Sequence, residues 1–477
     1  MGDFDALIAG AGPAGCAAAA ALSTLGLRVL LVDAGADLQK QLAGELIHPS
    51  GVEDLISLGF AGALESVGAQ PVRGFAVIDT HEAALLPYRV GEGIALEHAR
   101  LRQALLKGLK GRAGIAIQRG CRIAEVESNG PDGAVVAIRQ EGAGGGGERI
   151  AVRLLVAADG RASHLRKLLG IGESRARLSS MLGVLVKADR LPHPGHGHLF
   201  IGGAAPVLGY AITKEMARIM VDLPAGQGAA ELLKAPELLA GLPVELRQAV
   251  LEAAGTGEVL IAANETRLPE AVAVQSAVLI GDAAGCCHPL SASGLASSTR
   301  DARVLQEAVR LFPSDLPAAA RWYAAQRRAP QRTRIALASS LYRTFAEPSP
   351  EMAALRVGLF RYWRESRSGR SVSMALLSTR EARMSVMARE YARAVFHALL
   401  ALISSRSASP RPRRGSIRTA LRLVRSAFPH VREAIAGALE DFRSRAHHLL
   451  TRPSRGRRAH EPAASEPEPS RAPLSRM

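Results

Sequence analysis

The chain has 477 residues, 48% of them hydrophobic and 22% charged, a composition that supports a large core and excludes wholesale disorder and collagen-like repetition. Its four cysteines, Cys16, Cys121, Cys286 and Cys287, show no CxxC spacing, which argues against a disulfide framework or a zinc ribbon and for a reducing compartment. The net charge is +16, but the segment from Ser404 onward holds sixteen arginines, no lysine and six acidic residues, so the tail carries +10 and the body only +6. A basic tail asks for an anionic partner, a lipid surface or a nucleic acid. Aromatic interleaving and a nucleic-acid-binding motif are missing, which favours lipid. No secretory signal is read, and no run approaches the roughly 18–20 apolar residues of a membrane span. The expectation is a cytoplasmic protein that lies on a membrane without crossing it.

In chain order, residues 4–33 read as strand, glycine turn, alanine-rich helix and strand, a right-handed βαβ unit. A helix is expected over Leu96–Leu109, then strands around Ile115–Ile123 and Ala134–Arg139, with a glycine loop at Gly142–Gly147. Arg153–Ala158 is a fully apolar strand ending at Asp159-Gly160. Residues 181–223 alternate like sheet, 229–254 look helical, and Val278–Gly281 is another buried strand with a helix from about Gly294. From Leu316 to Ile403 the pattern is helical. The fold class expected is α/β: a Rossmann-like dinucleotide-binding domain (1–75, 95–180 and 270–315), a mixed β-sheet substrate domain (76–94 and 181–269) and a helical region (316–403). The basic tail (404–477) reads as amphipathic helices followed by low-complexity chain.

Gly10-x-Gly12-x-x-Gly15 follows a strand and opens a helix. Gly10 permits the tight turn, Gly12 lets a pyrophosphate approach the backbone, and Gly15 lets helix and strand pack closely. The unpaired N–H groups of the helix then meet the phosphates. Asp33, at the end of the second strand, would accept hydrogen bonds from a ribose. No metal cluster is expected, and no second GxGxxG opens a helix to take a nicotinamide cofactor; the glycine run 142–147 is read as a loop.

Two later segments point to FAD. Asp159-Gly160 after its strand resembles the DG motif of flavin hydroxylases, and Gly281-Asp282-Ala283 resembles their second flavin motif. By that resemblance Asp282 binds the ribityl chain; as a bare residue it would cap a helix. The helix opening at Gly294-Leu295 would turn its amides to the flavin's pyrimidine edge. The resemblance narrows further. Gly44-Glu45-Leu46-Ile47-His48-Pro49-Ser50-Gly51 is similar to the GELLQPGG segment of squalene monooxygenases. So, in order and spacing, are His196–Phe200, Pro206–Tyr210, Val221–Pro224, Leu242–Glu245, Gly281–Leu295 and Ser340–Ala346, and the resemblance as a whole covers about residues 4–400.

This resemblance implies an FAD-dependent monooxygenase of the bacterial type. It would epoxidise squalene or a related polyprenoid through a flavin hydroperoxide, with molecular oxygen, a separate NAD(P)H-dependent reductase and an apolar, dry pocket. It implies that Arg100 contacts FAD; otherwise Arg100 is a solvated surface residue. It implies that Tyr88 stands beside flavin and substrate, paired with His48 where the family has glutamine, and these two are the catalytic candidates; the alternative for His48 is a satisfied buried histidine. Departures stand at Asp33-Ala34, where the family has Glu-Arg. Others stand at His288-Pro289-Leu290-Ser291-Ala292-Ser293-Gly294-Leu295, where it has HPLTGGGM, and at Cys286-Cys287. The competing functions are a geranylgeranyl-reductase-like flavoenzyme that saturates the chain, and a hydroxylase of another lipophilic natural product. In the tail, Ile417, Leu421, Val424 and Phe428 share one helical face, and Val431, Ile435, Leu439 and Phe442 another. Such faces would lie on lipid or dock on the protein's own body.

Overall fold

The structure is a computed structural model. It describes residues 3–35, 41–80, 82–142 and 147–404, and scattered positions between 418 and 439. A six-stranded sheet has the order 273–274, 277–279, 154–157, 6–9, 29–33, 115–119 and is parallel except at the outer pair 273–274 and 277–279. Its central strands Ala6–Ala9, Val29–Asp33 and Leu154–Ala157 are buried along their whole length. Both faces are covered, and this is why these strands read as unbroken apolar runs and not as alternation. Ala6 and Ile8 pack toward helices Pro13–Ser23 and Gly294–Leu311, while Leu7 and Ala9 pack toward the antiparallel hairpin sheet 121–130, 133–140, 148–152.

Gly15 explains how close the first helix lies to its strand. A Cβ there would stand 1.8 Å from the Gly10 carbonyl oxygen. Cys16 to Leu22 are wholly buried, which requires small side chains on every side of this helix and accounts for its run of alanines.

The second large sheet has seven strands in the order 260–269, 173–187, 216–223, 207–211, 197–200, 74–78, 83–87, antiparallel except where 197–200 runs parallel to 74–78. The strand Glu173–Lys187 is continuous across position 181, where the sequence pattern turns apolar. Its first residues are charged and exposed, and they pair with the arginine-bearing end of Leu260–Pro269. Helices Ala229–Lys234 and Val244–Thr256 cover one face of this sheet. The other face meets helices Leu316–Ala346, Pro350–Glu365 and Arg367–Leu377 in a cluster that includes Phe75, Tyr210, Phe345, Phe360 and Trp363.

A buried ion pair ties the helical region to the nucleotide half. Asp301 accepts from the Gly281 N–H at 2.9 Å and pairs with Arg327 at 2.9 Å, and Arg327 donates to the Ala284 carbonyl at 2.8 Å. Tyr323 adds a hydrogen bond to the Leu279 carbonyl at 2.8 Å. The turn that carries Asp282 is thus held from behind by two helices, and removal of either ionic partner would cost about 3–5 kcal/mol by leaving a buried charge uncompensated. Among the described residues no helix is long and apolar enough to cross a membrane. In the tail, Leu421, Ile435 and Leu439 are exposed, and Leu423 is buried against Met352, Leu355 and Ala398. Ile417, Val424, Phe428, Val431 and Phe442 lie outside the described residues.

Candidate active site

A cleft of about 720 Å³ opens at the carboxyl ends of the parallel strands, the position at which open α/β sheets bind ligands. Its walls include Gly10, Gly12, Asp33, Asp159, Gly160, Asp282, Gly294 and Leu295. Three separated motifs therefore meet at one place. Gly10 holds φ +100° and Gly160 φ +80°, backbone conformations that favour glycine. At Gly12, Gly160 and Gly294 the space a Cβ would take is open, so a bound group can reach the backbone at all three points. The helices that begin at Pro13 and Gly294 have no side-chain cap at their N-termini. Their first N–H groups are left for an anionic or electron-rich ligand.

Gly15 and Gly281 stand behind the cleft and do not line it. Gly281, at φ +59°, packs so close to helix Pro13–Ser23 that a Cβ there would come within 2.8 Å of Ala14 Cβ. Asp33 is already engaged by the loop it faces. Its Oδ2 accepts the Ala11 N–H at 2.6 Å and its Oδ1 the Gly35 N–H at 3.0 Å. Asp159 accepts from the Ser163 hydroxyl and from the Leu165 N–H at 2.9 Å, which fixes the turn into the short helix His164–Leu168.

The arginine expected at the flavin is corrected by two positions. Arg100 is 57% exposed and pairs loosely with Glu97 at 3.7 Å, away from the cleft. Arg102, 13% exposed, lines the cleft, lies 3.6 Å from Asp33, and leaves its Nε without a partner among the described residues. Two residues along a helix turn a side chain by about 200°, so a reading that is out by two selects the opposite face. The spare donor of Arg102, the open glycine backbones and the uncapped helices fit a flavin dinucleotide.

A second cavity of about 170 Å³ shares the walls Leu42, Ala43, Gly44, Arg161, Asp282, Gly294 and Leu295 with the first. Its far side is formed by Leu46, Met181, Leu208, Met220 and Ala262 of the seven-stranded sheet and its neighbours. Polar residues also border it, among them Glu45, Arg161, Asn264, Glu265, Asp282, His288 and Arg334, and several are engaged by neighbours behind the wall. Glu45 and Arg218 form a buried two-point pair at 3.1 Å. Asn264 donates to Asp222 at 2.8 Å and to Ser179 at 2.9 Å, Ser179 donates to Asp222, and His288 lies 3.3 Å from Asp222 and stacks on Tyr342 at 4.3 Å. These polar groups were not singled out from sequence, because each partner comes from a different strand or loop. Cys286 and Cys287 line the same cavity as free thiols, and burial pushes the Cys286 thiol up to about 12, far from a reactive thiolate. Among the described residues no cluster could hold a metal ion.

His48 and Tyr88 do meet, at 2.6 Å, but neither lines either cavity. His48 Nε2 lies 2.9 Å from the Ser291 carbonyl. That oxygen only accepts, so Nε2 carries the proton, and Nδ1 accepts from the Tyr88 hydroxyl. The geometry gives the pair a positioning part: it holds the Ser291 carbonyl of the 288–294 loop, with His48 fully buried and Tyr88 partly buried. Within this loop Ala292 is left-handed, at φ +49°. It stands where the resembling motif has glycine, and an alanine there stores about 1 kcal/mol or more.

Burial drives His48 from 6.5 to about 4 and pushes the Tyr88 hydroxyl well above its usual range. The unfolded chain therefore protonates His48 below about pH 6.5 and the folded chain only near 4, so stability is full above 6.5 and falls between the two values. His48→Gln should flatten that limb by about 3 kcal/mol, read from urea denaturation at a series of pH values; an unchanged slope would show that His48 does not titrate there. Asp282→Ala should purify without the yellow absorbance of flavin, because no other carboxylate stands on that turn; full retention of colour would remove Asp282 from the binding set.

The profile of the squalene epoxidase family matches residues 151–414. Squalene epoxidase 3 of Arabidopsis thaliana is 26% identical over 83% of this chain and 78% of its own length. The squalene monooxygenase of Mus musculus is 26% identical over 76% of this chain and 65% of its own, and the squalene epoxidase of Aspergillus fumigatus 27% over 75% and 79%. In fold, the chain is similar to PqsL, a probable FAD-dependent monooxygenase from Pseudomonas aeruginosa (TM-score 0.62, 22% identity, 72% of this chain and 97% of that one). It is also similar to p-nitrophenol 4-monooxygenase PnpA from Pseudomonas putida (TM-score 0.66, 15% identity, 80% and 98%). With a cleft that fits a flavin dinucleotide and a family profile covering more than half its length, this chain belongs to the squalene epoxidase family and is an FAD-dependent monooxygenase.

Proposed function

We propose that the enzyme epoxidises squalene or a related polyprenoid alkene with molecular oxygen. The observation that carries this reading is the shared wall: an apolar-sided cavity adjoins the flavin cleft through Leu42, Gly44 and Leu295. Bound and reduced, the flavin supplies oxygen activation. The chain supplies the rest. The N-terminus at Gly294 favours negative charge at the edge of the cleft. The pairing of Glu45 with Arg218, and of Asp222 with Ser179, Asn264 and His288, offsets part of the polar lining, and Leu46, Met181, Leu208 and Met220 offer the substrate an apolar wall. His48 and Tyr88 fix the loop that joins the two spaces.

Electrons would come from a separate NAD(P)H-dependent reductase, a reading supported by the sequence, in which one GxGxxG alone follows a parallel strand and opens a helix. Attachment to the surface of a membrane at its cytoplasmic side is supported by the +10 tail and by the exposed Phe396, Ile403 and Leu421.

The deciding experiment is mass spectrometry of squalene incubated with enzyme, reductase and NADPH, with and without air. The expected product gains one oxygen atom and forms only in air. Hydrogen gain without air would instead mark a saturating flavoenzyme. Removal of residues 404–477 should reduce sedimentation with anionic liposomes while flavin is retained, and equal sedimentation would exclude the tail as the anchor.

A further inference from the structure

The second cavity has an apolar side and a charged end. Leu46, Met181, Leu208 and Met220 form the first, and Arg161 and Arg334 border the second. Arg334, from helix Leu316–Ala346, is only 8% exposed. Its Nη2 donates to the Gly285 carbonyl at 3.1 Å and its Nε to the Gln331 side-chain oxygen at 3.1 Å. Arg161, partly buried in the turn after Gly160, donates from Nη1 to the Ala263 carbonyl at 2.8 Å. Among the described residues no carboxylate pairs with either guanidinium.

A buried arginine is ordinarily held by an acid, because neutral acceptors alone do not offset the lost hydration of a full charge. Among the described residues the other buried arginines follow that rule. Arg166 pairs with Glu173 at 2.7 Å, Arg218 with Glu45 at 3.1 Å, and Arg327 with Asp301 at 2.9 Å. The acids on the cavity wall do not make up the difference. Glu45 is taken by Arg218, and Glu265 by Arg175 and by Arg267 at 2.7 Å. Asp282, the remaining acid of this wall, balances one arginine at most, so a net positive charge is left. Burial pushes the Cys286 thiol up to about 12, Asp282 adds to this, and Arg161 and Arg334 both oppose it. The two guanidinium groups thus act at one corner of the cavity, around Cys286.

We infer that this corner is a carboxylate site, and that the cavity takes an unsaturated apolar acid, with its chain along the leucine and methionine side and its carboxylate on Arg161 and Arg334. The planar guanidinium fork suits a carboxylate. The cavity of about 170 Å³, at about 30 Å³ per water, admits such a head with a short stretch of chain. The walls shared with the flavin cleft at Leu42 and Leu295 let the chain continue there. A pure hydrocarbon such as squalene leaves the positive charge unmatched, so the acid is a class of ligand beyond the proposed reaction, and its binding does not depend on that reaction. A free small carboxylate offers the same head without the chain.

The test uses full-length flavin-loaded enzyme at neutral pH and isothermal titration calorimetry with three probes: citronellic acid, the matching alcohol citronellol, and acetate. The acid should bind about tenfold more tightly than the alcohol, the difference between a charge-assisted and a neutral hydrogen bond. Acetate should bind about a hundredfold more weakly than the acid, because it forgoes burial of the chain. Arg334→Gln should lower the affinity for the acid about tenfold and leave the alcohol unchanged. Full flavin absorbance shows that the variant folds; should it lose flavin, Arg161→Gln, from a different element, carries the same comparison, and the wild-type contrast of acid with alcohol stands in either case.

Equal affinity of the wild-type enzyme for acid and alcohol, or a loss in Arg334→Gln that both share, would overturn the carboxylate site. Acetate binding as tight as that of the acid would overturn the apolar acid as its ligand. Because binding is read without turnover, failure of squalene epoxidation leaves a positive result standing, and equal binding of acid and alcohol leaves the squalene reading as it was.

Discussion

The arrangement depends on two helices that begin without a side-chain cap and open into the same cleft. Helix Pro13–Ser23 follows the first parallel strand, and helix Gly294–Leu311 follows the loop after the last one. Uncapped N–H groups that water does not satisfy are costly, so both ends are built for a ligand that accepts hydrogen bonds and carries negative charge. Bringing them together requires close backbone packing, and three glycines provide it. Gly15 lets the first helix lie on its strand, Gly281 lets the Asp282 turn lie on that helix, and Gly44 meets Leu295 at the border of the second cavity. The Asp301–Arg327 pair then holds the Asp282 turn from the solvent-remote side.

The second requirement is an apolar surface beside this polar cleft. The molecule reaches it without excluding polar residues. Glu45 and Arg218 neutralise each other, and Asp222 collects donors from Ser179 and Asn264, with His288 close by. Each buried group is matched by another from a distant part of the chain, which limits the desolvation cost. His48 follows the same logic. Neutral because it is buried, it bridges Tyr88 and the Ser291 carbonyl and so holds a loop containing a left-handed alanine. A glutamine has both an acceptor and a donor, so it meets the same requirement at this position.

The elements themselves were legible because local rules specify them. The βαβ unit has a fully apolar strand, a glycine turn and an acid at the next strand's end, and each of these has one good structural explanation. Asp159, Gly160, Asp282 and Gly294 were legible through the resemblance of their segments to flavin hydroxylase motifs, and the structure brings all four to the cleft. Arg100 came from the resemblance alone, and which face of helix His98–Leu109 meets the cleft is set by the helix phase relative to the sheet. The His48–Tyr88 contact was legible, but its role was not. Whether a buried pair faces a cavity or backs a loop depends on what the 288–294 loop places in front of it.

The sequence by itself determined the α/β class and the dinucleotide cradle, because these follow from short-range backbone demands, and it carried the flavin motifs and the family resemblance as quoted segments in fixed order. Tertiary structure alone decided which arginine enters the cleft and which polar groups offset one another around the second cavity. Those facts depend on contacts between residues tens to hundreds of positions apart, and no local periodicity or spacing encodes them.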